Sequence, residues 1–123
     1  MTTKPKMRLV YIAGRFSADE PYLIEQNIRA AEMVGLAVVE KCGDHIAPLI
    51  PHASGRAFIG TKWPEYWYLA TMAMLERCDA VMLVPGWEKS RGTKREIARA
   101  NKLGLPVFSR VSDLRRWSMG VAS

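Results

Sequence analysis

The chain is poor in the residues that mark secreted, metal-binding and membrane proteins. Its 123 residues include two cysteines and two histidines. Cys42 and Cys78 have no second cysteine or histidine at the short spacing that metal sites use, so we expect buried, reduced thiols and no metal. No apolar run is long enough to span a bilayer, and the N-terminal MTTKPK lacks the apolar core of a signal peptide. We therefore expect a cytoplasmic protein without a membrane partner.

Three sequence motifs of nucleotide and hydrolase chemistry are also missing. The chain has no GxGxxG fingerprint, no Walker lysine loop and no HExxH, which argues against dinucleotide binding, P-loop chemistry and zinc hydrolysis. A net charge of +6 favours phosphorylated or polyanionic partners. The aromatic or groove-reading elements of nucleic-acid-binding proteins are not evident. Nucleic-acid binding is therefore a rival hypothesis, which predicts strongly salt-dependent binding to DNA or RNA.

Short apolar runs alternate with helical patterns along the chain. Residues 7–13 (MRLVYIA) form a β-branched and aromatic run that predicts a central strand. Further strands are predicted over residues 46–51, 80–84 and 105–108, helices over residues 20–41, 64–75 and 93–103, a long loop over residues 52–60, and a terminal helix capped by Ser112.

The alternation of strands and helices defines the expected fold class. Strands that are apolar on both faces are typical of a parallel sheet covered by helices on both sides. A chain of this length forms one domain. We therefore expect a single α/β domain over residues 1–123, Rossmann-like and of the flavodoxin type, with four or five parallel strands and a flexible tail at residues 1–6.

Ligands of such sheets bind beyond the carboxyl ends of the strands, which directs attention to the segment PGWEKSRGTKRE. Gly92 and Thr93 lie at a predicted helix start, where free N–H groups favour an anion, and Ser90 can add a hydroxyl. Glu96 follows about one turn later, and a carboxylate can attack an anomeric carbon. The same spacing fits a capping box with Thr93 at N-cap and Glu96 at N3, which needs no substrate.

A second candidate segment follows the first strand. Tyr11 points to one face of that strand, and Gly14 lets the backbone turn closely. Arg15 can meet a phosphate or sugar oxygen as a forked donor. An ordinary strand end followed by a turn explains the same residues.

Together the two segments resemble the nucleoside 2-deoxyribosyltransferase superfamily, in particular its short bacterial and phage branch of uncharacterised, DUF4406-like domains. The resemblance runs from about residue 7 to residue 108. It rests on ten positions in the order of the superfamily motifs: Tyr11, Ala13, Gly14, Asp79, Gly92, Glu96, Ala100, Gly104, Pro106 and Val107.

The resemblance implies roles for several of these residues. Glu96 is the nucleophile that holds the 2-deoxyribosyl group covalently, and Tyr11 orients it. Ser90 stands six positions before the glutamate, where relatives that hydrolyse deoxynucleoside 5′-monophosphates carry a phosphate-contacting serine. With Arg15 nearby, this position favours a 5′-phosphorylated substrate. The resemblance also implies no cofactor, a nucleoside or nucleotide as the small-molecule partner, and a homo-oligomer.

The chain departs from the superfamily at two positions. No carboxylate stands in residues 67–75, where the superfamily usually places the acid that protonates the departing base; Glu65 and Glu76 only flank this stretch. Arg15 replaces the usual proline or serine. An absent acid lowers the rate by a factor of about a hundred to ten thousand. The alternative hypothesis is therefore a non-catalytic nucleotide-binding or sensing domain on the same scaffold.

Other polar and aromatic residues have ordinary explanations. Three aromatic residues at helical spacing are suited to stacking on a base, but aromatics at this spacing more often belong to a core or a subunit interface: Trp63, Tyr66 and Trp67. We expect structural roles for His45 and His52. Four basic residues predict a solvated helix face: Lys94, Arg95, Arg99 and Lys102.

Overall fold

The computed structural model describes residues 6–58 and 60–120. Apart from Lys6, the tail expected at residues 1–6 lies outside this range. The elements in chain order are β1 (Arg8–Ala13), α1 (Pro21–Lys41), β2 (Ile46–Leu49), α2 (Pro51–Gly55), α3 (Pro64–Glu76), β3 (Ala80–Leu83), α4 (Arg91–Leu103), β4 (Val107–Phe108) and α5 (Val111–Ser118), with 3₁₀ turns at Arg56–Phe58 and Trp87–Lys89.

The four strands form one parallel sheet in the order β2-β1-β3-β4. The expected Rossmann-like α/β fold is thus confirmed, with four strands and with β1 in the interior of the sheet. Because β2 and β3 lie on opposite sides of β1, the crossovers diverge at the carboxyl end of β1. That is the position where open α/β sheets bind their ligands.

Alternate residues of β1 pack into two separate cores. Val10 and Ile12 face a cluster that includes Ala31 and Val38 of α1 and Leu114 of α5. Tyr11 and Ala13 face the opposite cluster, to which α3 and α4 contribute Met72, Leu75 and Ala100. The period-two alternation of a strand therefore places Tyr11 beneath α3 and α4.

Asp79 joins the start of β3 to β1. Its backbone N–H donates to Leu9 O at 2.8 Å, and its Oδ2 accepts from Leu9 N at 2.8 Å. This motif position therefore has a structural explanation. Cys42 and Cys78 are buried free thiols, as expected, and burial raises the pKa of Cys78 to about 11.

Several predicted boundaries were wrong. Strand β2 ends at Leu49 and β4 is confined to Val107–Phe108. The predicted loop over residues 52–60 contains α2 and a 3₁₀ turn, because Pro51 suits a helix start. Ser112 does not cap α5: this helix begins at Val111 after Arg110, whose side chain makes no capping hydrogen bond.

Candidate active site

A cleft of about 670 Å³ lies beyond the carboxyl ends of the strands. Its walls come from the segments that follow β1, β2 and β3 and from α3 and α4. All seven predicted site residues line it: Tyr11, Gly14, Arg15, Ser90, Gly92, Thr93 and Glu96. The structure therefore brings together two segments that are about 75 residues apart in the sequence.

Glu96 lies at the floor of this cleft. Helix α4 packs on the sheet through Thr93, Glu96 and Ala100, whose spacing places them on one helix face. Tyr11 projects from β1 toward the same helix, and its hydroxyl donates a hydrogen bond to Glu96 Oε2. Tyr11 is 0% exposed and Glu96 is 9% exposed. The sheet and α4 therefore hold the carboxylate in one orientation.

The environment changes the protonation of both groups. Burial raises the pKa of Glu96 to about 7, although the hydrogen bond from Tyr11 opposes this rise. Burial and then the charge of Glu96 raise the pKa of Tyr11. Tyr11 therefore remains a proton donor at neutral pH. Near pH 7, Glu96 is present both as the carboxylate and as the carboxylic acid.

The start of α4 excludes the capping box considered above. Ser90 is the N-cap residue, and its Oγ accepts a hydrogen bond from Thr93 N at 3.1 Å and lies 2.9 Å from Thr93 Oγ1. Thr93 is therefore at N3, so Glu96 is too far along the helix to reach back to the N-cap. The interpretation of Glu96 as a helix cap was wrong.

The same helix start carries free hydrogen-bond donors. Because Lys94 N makes the first intrahelical bond, to Ser90 O at 3.1 Å, the N–H groups of Arg91 and Gly92 precede the hydrogen-bonded turns. A side chain built on Gly92 would have only Ser90 Oγ within 4 Å, at 3.9 Å. Glycine at this position is therefore not required by packing, and it leaves the helix start open to the cleft.

Gly14 has a different physical reason. A Cβ at this position would lie 2.6 Å from Val84 Cβ, so only glycine allows the ends of β1 and β3 to approach this closely. The close approach places Arg15, which is exposed, at the mouth of the cleft.

His52 borders the cleft, although the sequence predicted only a structural role for it. It lines the cleft, is 4% exposed, and its Nε2 lies 2.9 Å from Gly14 O. Desolvation lowers its pKa, so the neutral ring donates through Nε2–H to Gly14 O. Its Nδ1 is buried and has no partner among the described residues. The signal in the sequence was its place just after β2, at the carboxyl edge of the sheet.

Positive charge dominates the cleft. Five basic side chains line it: Arg15, Lys62, Lys89, Arg91 and Arg95. Among the lining residues that the structure describes, Glu96 is the single carboxylate. The salt bridges of residues 6–58 and 60–120 involve Arg56 and Arg99 instead. The cleft therefore has the electrostatic character of an anion-binding site.

The basic face predicted on α4 divides into two parts. Arg95 does not project freely, because its guanidinium lies 3.8 Å from the ring centroid of Tyr68 at the cleft wall. Arg99 forms a salt bridge of 2.7 Å with Glu76. Lys94 and Lys102 are exposed, as predicted.

The predicted aromatic cluster contributes one residue to the cleft. Trp67 lines the wall and stacks on Phe58 at 6.2 Å. Trp63 and Tyr66 do not line it and are 60% and 40% exposed. Neither Glu65 nor Glu76 lines the cleft, so the structure brings neither of them to Glu96.

Residues 8–109 match the family model described as Domain of unknown function (DUF4406). The fold and the cleft described above define a Rossmann-like α/β domain with a buried glutamate at a cationic site. The chain belongs to the DUF4406 family. No curated protein matches the sequence. Within the described residues, no helix is long and apolar enough to cross a membrane, and no group of three or more histidine, cysteine, aspartate or glutamate residues could hold a metal ion.

Proposed function

We propose that the protein cleaves the N-glycosidic bond of a (deoxy)nucleoside or its 5′-monophosphate, or transfers the 2-deoxyribosyl group, through a covalent intermediate on Glu96. The observation that carries this proposal is the Glu96 carboxylate, held by Tyr11 at the floor of a cation-lined cleft. A positioned carboxylate of this kind is the nucleophile that a covalent displacement at an anomeric carbon requires.

In the proposed first step, an oxygen of ionised Glu96 attacks C1′ of the sugar. The C1′–N bond breaks, its electron pair leaves with the base, and a glycosyl ester forms on Glu96. In the second step, water or another base attacks C1′, the C1′–O bond to Glu96 breaks and the carboxylate is released, giving hydrolysis or transfer respectively. In hydrolysis the attacking water loses a proton to the solvent. Tyr11 donates to Oε2 throughout and so fixes the direction of attack.

The start of α4 supports a phosphorylated substrate. The N–H groups of Arg91 and Gly92 can donate to phosphate oxygens, and Ser90 Oγ lies beside them. Arg15 at the end of β1 can add a forked donor. These groups bind the 5′-phosphate in the proposed complex.

A specific observation favours a second candidate function. The cleft has no second carboxylate among its described lining residues, so no carboxylic acid is positioned to protonate the departing base. A nucleotide-binding or sensing domain needs no such acid. This alternative predicts ligand binding without release of base. We also propose that the protein is a homo-oligomer, and light scattering tests this oligomeric state. In a homo-oligomer, another copy of the chain can supply the proton donor.

The test is chromatographic detection of free base after incubation with the four deoxynucleosides and with their 5′-monophosphates. The wild type and a Glu88→Ala control should release base, because Glu88 is exposed and lies outside the cleft. A Glu96→Ala variant should release none. Base release by the Glu96→Ala variant at the wild-type rate would contradict the proposal, and no release by any protein would favour the binding domain.

A further inference from the structure

The cations of the cleft form two groups. The first group consists of Lys89 and Arg91 at the start of α4 and of Arg15, which follows β1. The second group consists of Lys62, which precedes α3, and Arg95, which lies one turn further along α4 than Arg91. Four residues of helix separate Arg91 and Arg95 by about 6 Å along the axis.

Aromatic rings hold the second group in place. The guanidinium of Arg95 lies 3.8 Å from the Tyr68 ring centroid. The ammonium group of Lys62 lies 5.6 Å from the ring of Trp63 and 5.4 Å from that of Tyr66. Cation–π contacts at these distances favour particular positions of the charged groups without neutralising them. Arg95 is therefore positioned by a ring of the cleft wall and Lys62 by two rings that do not line the cleft, and both charges remain available to a ligand.

A single phosphate does not account for this much positive charge. A phosphate monoester carries about −1.5 to −2 at neutral pH. The first group and the helix start already supply enough donors for it, whereas Lys62 and Arg95 have no carboxylate partner among the described residues. Cations of one sign that line a cleft without a counter-charge raise the local concentration of anions there.

We propose that the cleft binds nucleotides whose 5′ group contains a phosphoanhydride, namely nucleoside 5′-di- or triphosphates. The start of α4 holds one phosphate, and Lys62 with Arg95 holds the next. The identity of the ligand as a nucleotide rests on the proposed function, but the preference for two linked phosphates rests on the two cationic groups alone.

Inorganic phosphate and inorganic pyrophosphate test this preference without any base or sugar. Calorimetric titration of the full chain in magnesium-free buffer should show pyrophosphate binding at least tenfold more tightly than phosphate. A Lys62→Gln, Arg95→Gln double variant should bind pyrophosphate at least tenfold more weakly and phosphate within twofold of the wild type. The matched control is Lys94→Gln with Lys102→Gln, which removes the same charge from exposed positions outside the cleft.

Equal binding of the two anions by the wild type, or equal weakening of both by the double variant, would overturn the inference. The wild-type comparison stands even where a variant does not fold. Failure of the proposed function is distinguishable, because it appears as absence of base release and leaves the preference for pyrophosphate unchanged. The same titration with deoxyguanosine and deoxycytidine 5′-mono- and diphosphates should reproduce the preference in a purine and a pyrimidine series.

Discussion

Replacing Glu96 by glutamine should stabilise the folded chain at alkaline pH although it removes the proposed nucleophile. Burial raises the pKa of this carboxyl from its ordinary value of 4.5 to about 7. At about 1.4 kcal/mol per pKa unit, the ionised side chain therefore lowers the free energy of unfolding by about 3 kcal/mol. Glutamine is similar in shape, carries no charge and can still accept the hydrogen bond from Tyr11.

The pH dependence distinguishes this effect from a general change in packing. Below the ordinary pKa of 4.5, Glu96 is protonated in both the folded and the unfolded chain, so the penalty is absent. Between that pH and about 7, the unfolded chain loses the proton while the folded chain keeps it, so stability falls as the pH rises. Above about pH 7 the loss is complete. The Glu96→Gln variant lacks this fall.

Urea denaturation followed by tryptophan fluorescence at pH 4.5, 6, 7 and 8 measures the difference. The difference in the free energy of unfolding between the variant and the wild type should increase by about 3 kcal/mol from pH 4.5 to pH 8, in favour of the variant. This increase corresponds to a shift of about 1 to 3 M in the urea midpoint. A Glu88→Gln variant, which changes an exposed glutamate, should follow the wild type. Parallel curves for the wild type and Glu96→Gln would refute the reasoning.

Three further substitutions test the geometry of the cleft. Tyr11→Phe removes the hydrogen bond that lowers the pKa of Glu96, so this pKa should rise above about 7 in a ¹³C NMR titration; an unchanged value would contradict the assigned contact. Gly92→Ala should leave stability unchanged or raise it by up to about 1 kcal/mol in thermal denaturation, yet weaken phosphate binding in calorimetry. Equal phosphate affinity would show that the ligand does not approach this backbone. Gly14→Ala should destabilise the fold by about 1 to 3 kcal/mol, because its Cβ would lie 2.6 Å from Val84 Cβ; a neutral effect in urea denaturation would refute the close packing.

Most of the fold could be predicted from local sequence patterns. The apolar run of β1 and the proline-initiated helix α1 lie close to their predicted boundaries, because a buried strand and an amphipathic helix that begins at a proline have clear signatures. The segment over residues 52–60 was predicted as a loop because its glycines and serine suggest one. The structure instead has a short helix there, α2. Its residues make long-range contacts that the local pattern does not show: Gly55 packs against Phe16, and His52 is hydrogen-bonded to Gly14 O.

The site was predictable only in part. Helix-start chemistry and the resemblance selected Ser90 and Glu96, but the cap was placed three residues too late because serine and threonine are both good N-cap residues. Local patterns gave no signal for Lys62 or Arg95 as cleft residues and did not distinguish Trp67 from the other two members of its aromatic cluster. Their position at the wall depends on how α3 packs against α4, which is a long-range property of the fold.

The most direct test of the central claim is mass spectrometry of the protein after incubation with 2′-fluorinated deoxynucleosides and their 5′-phosphates. The fluorine withdraws electrons and slows turnover of the proposed glycosyl ester. If Glu96 is the nucleophile, the protein should become heavier by one fluorinated sugar, or sugar phosphate, with the added mass on a peptide that contains Glu96 and absent from the Glu96→Gln variant. Base release without any adduct on Glu96, or an adduct on another residue, would contradict the assignment of Glu96 as the nucleophile.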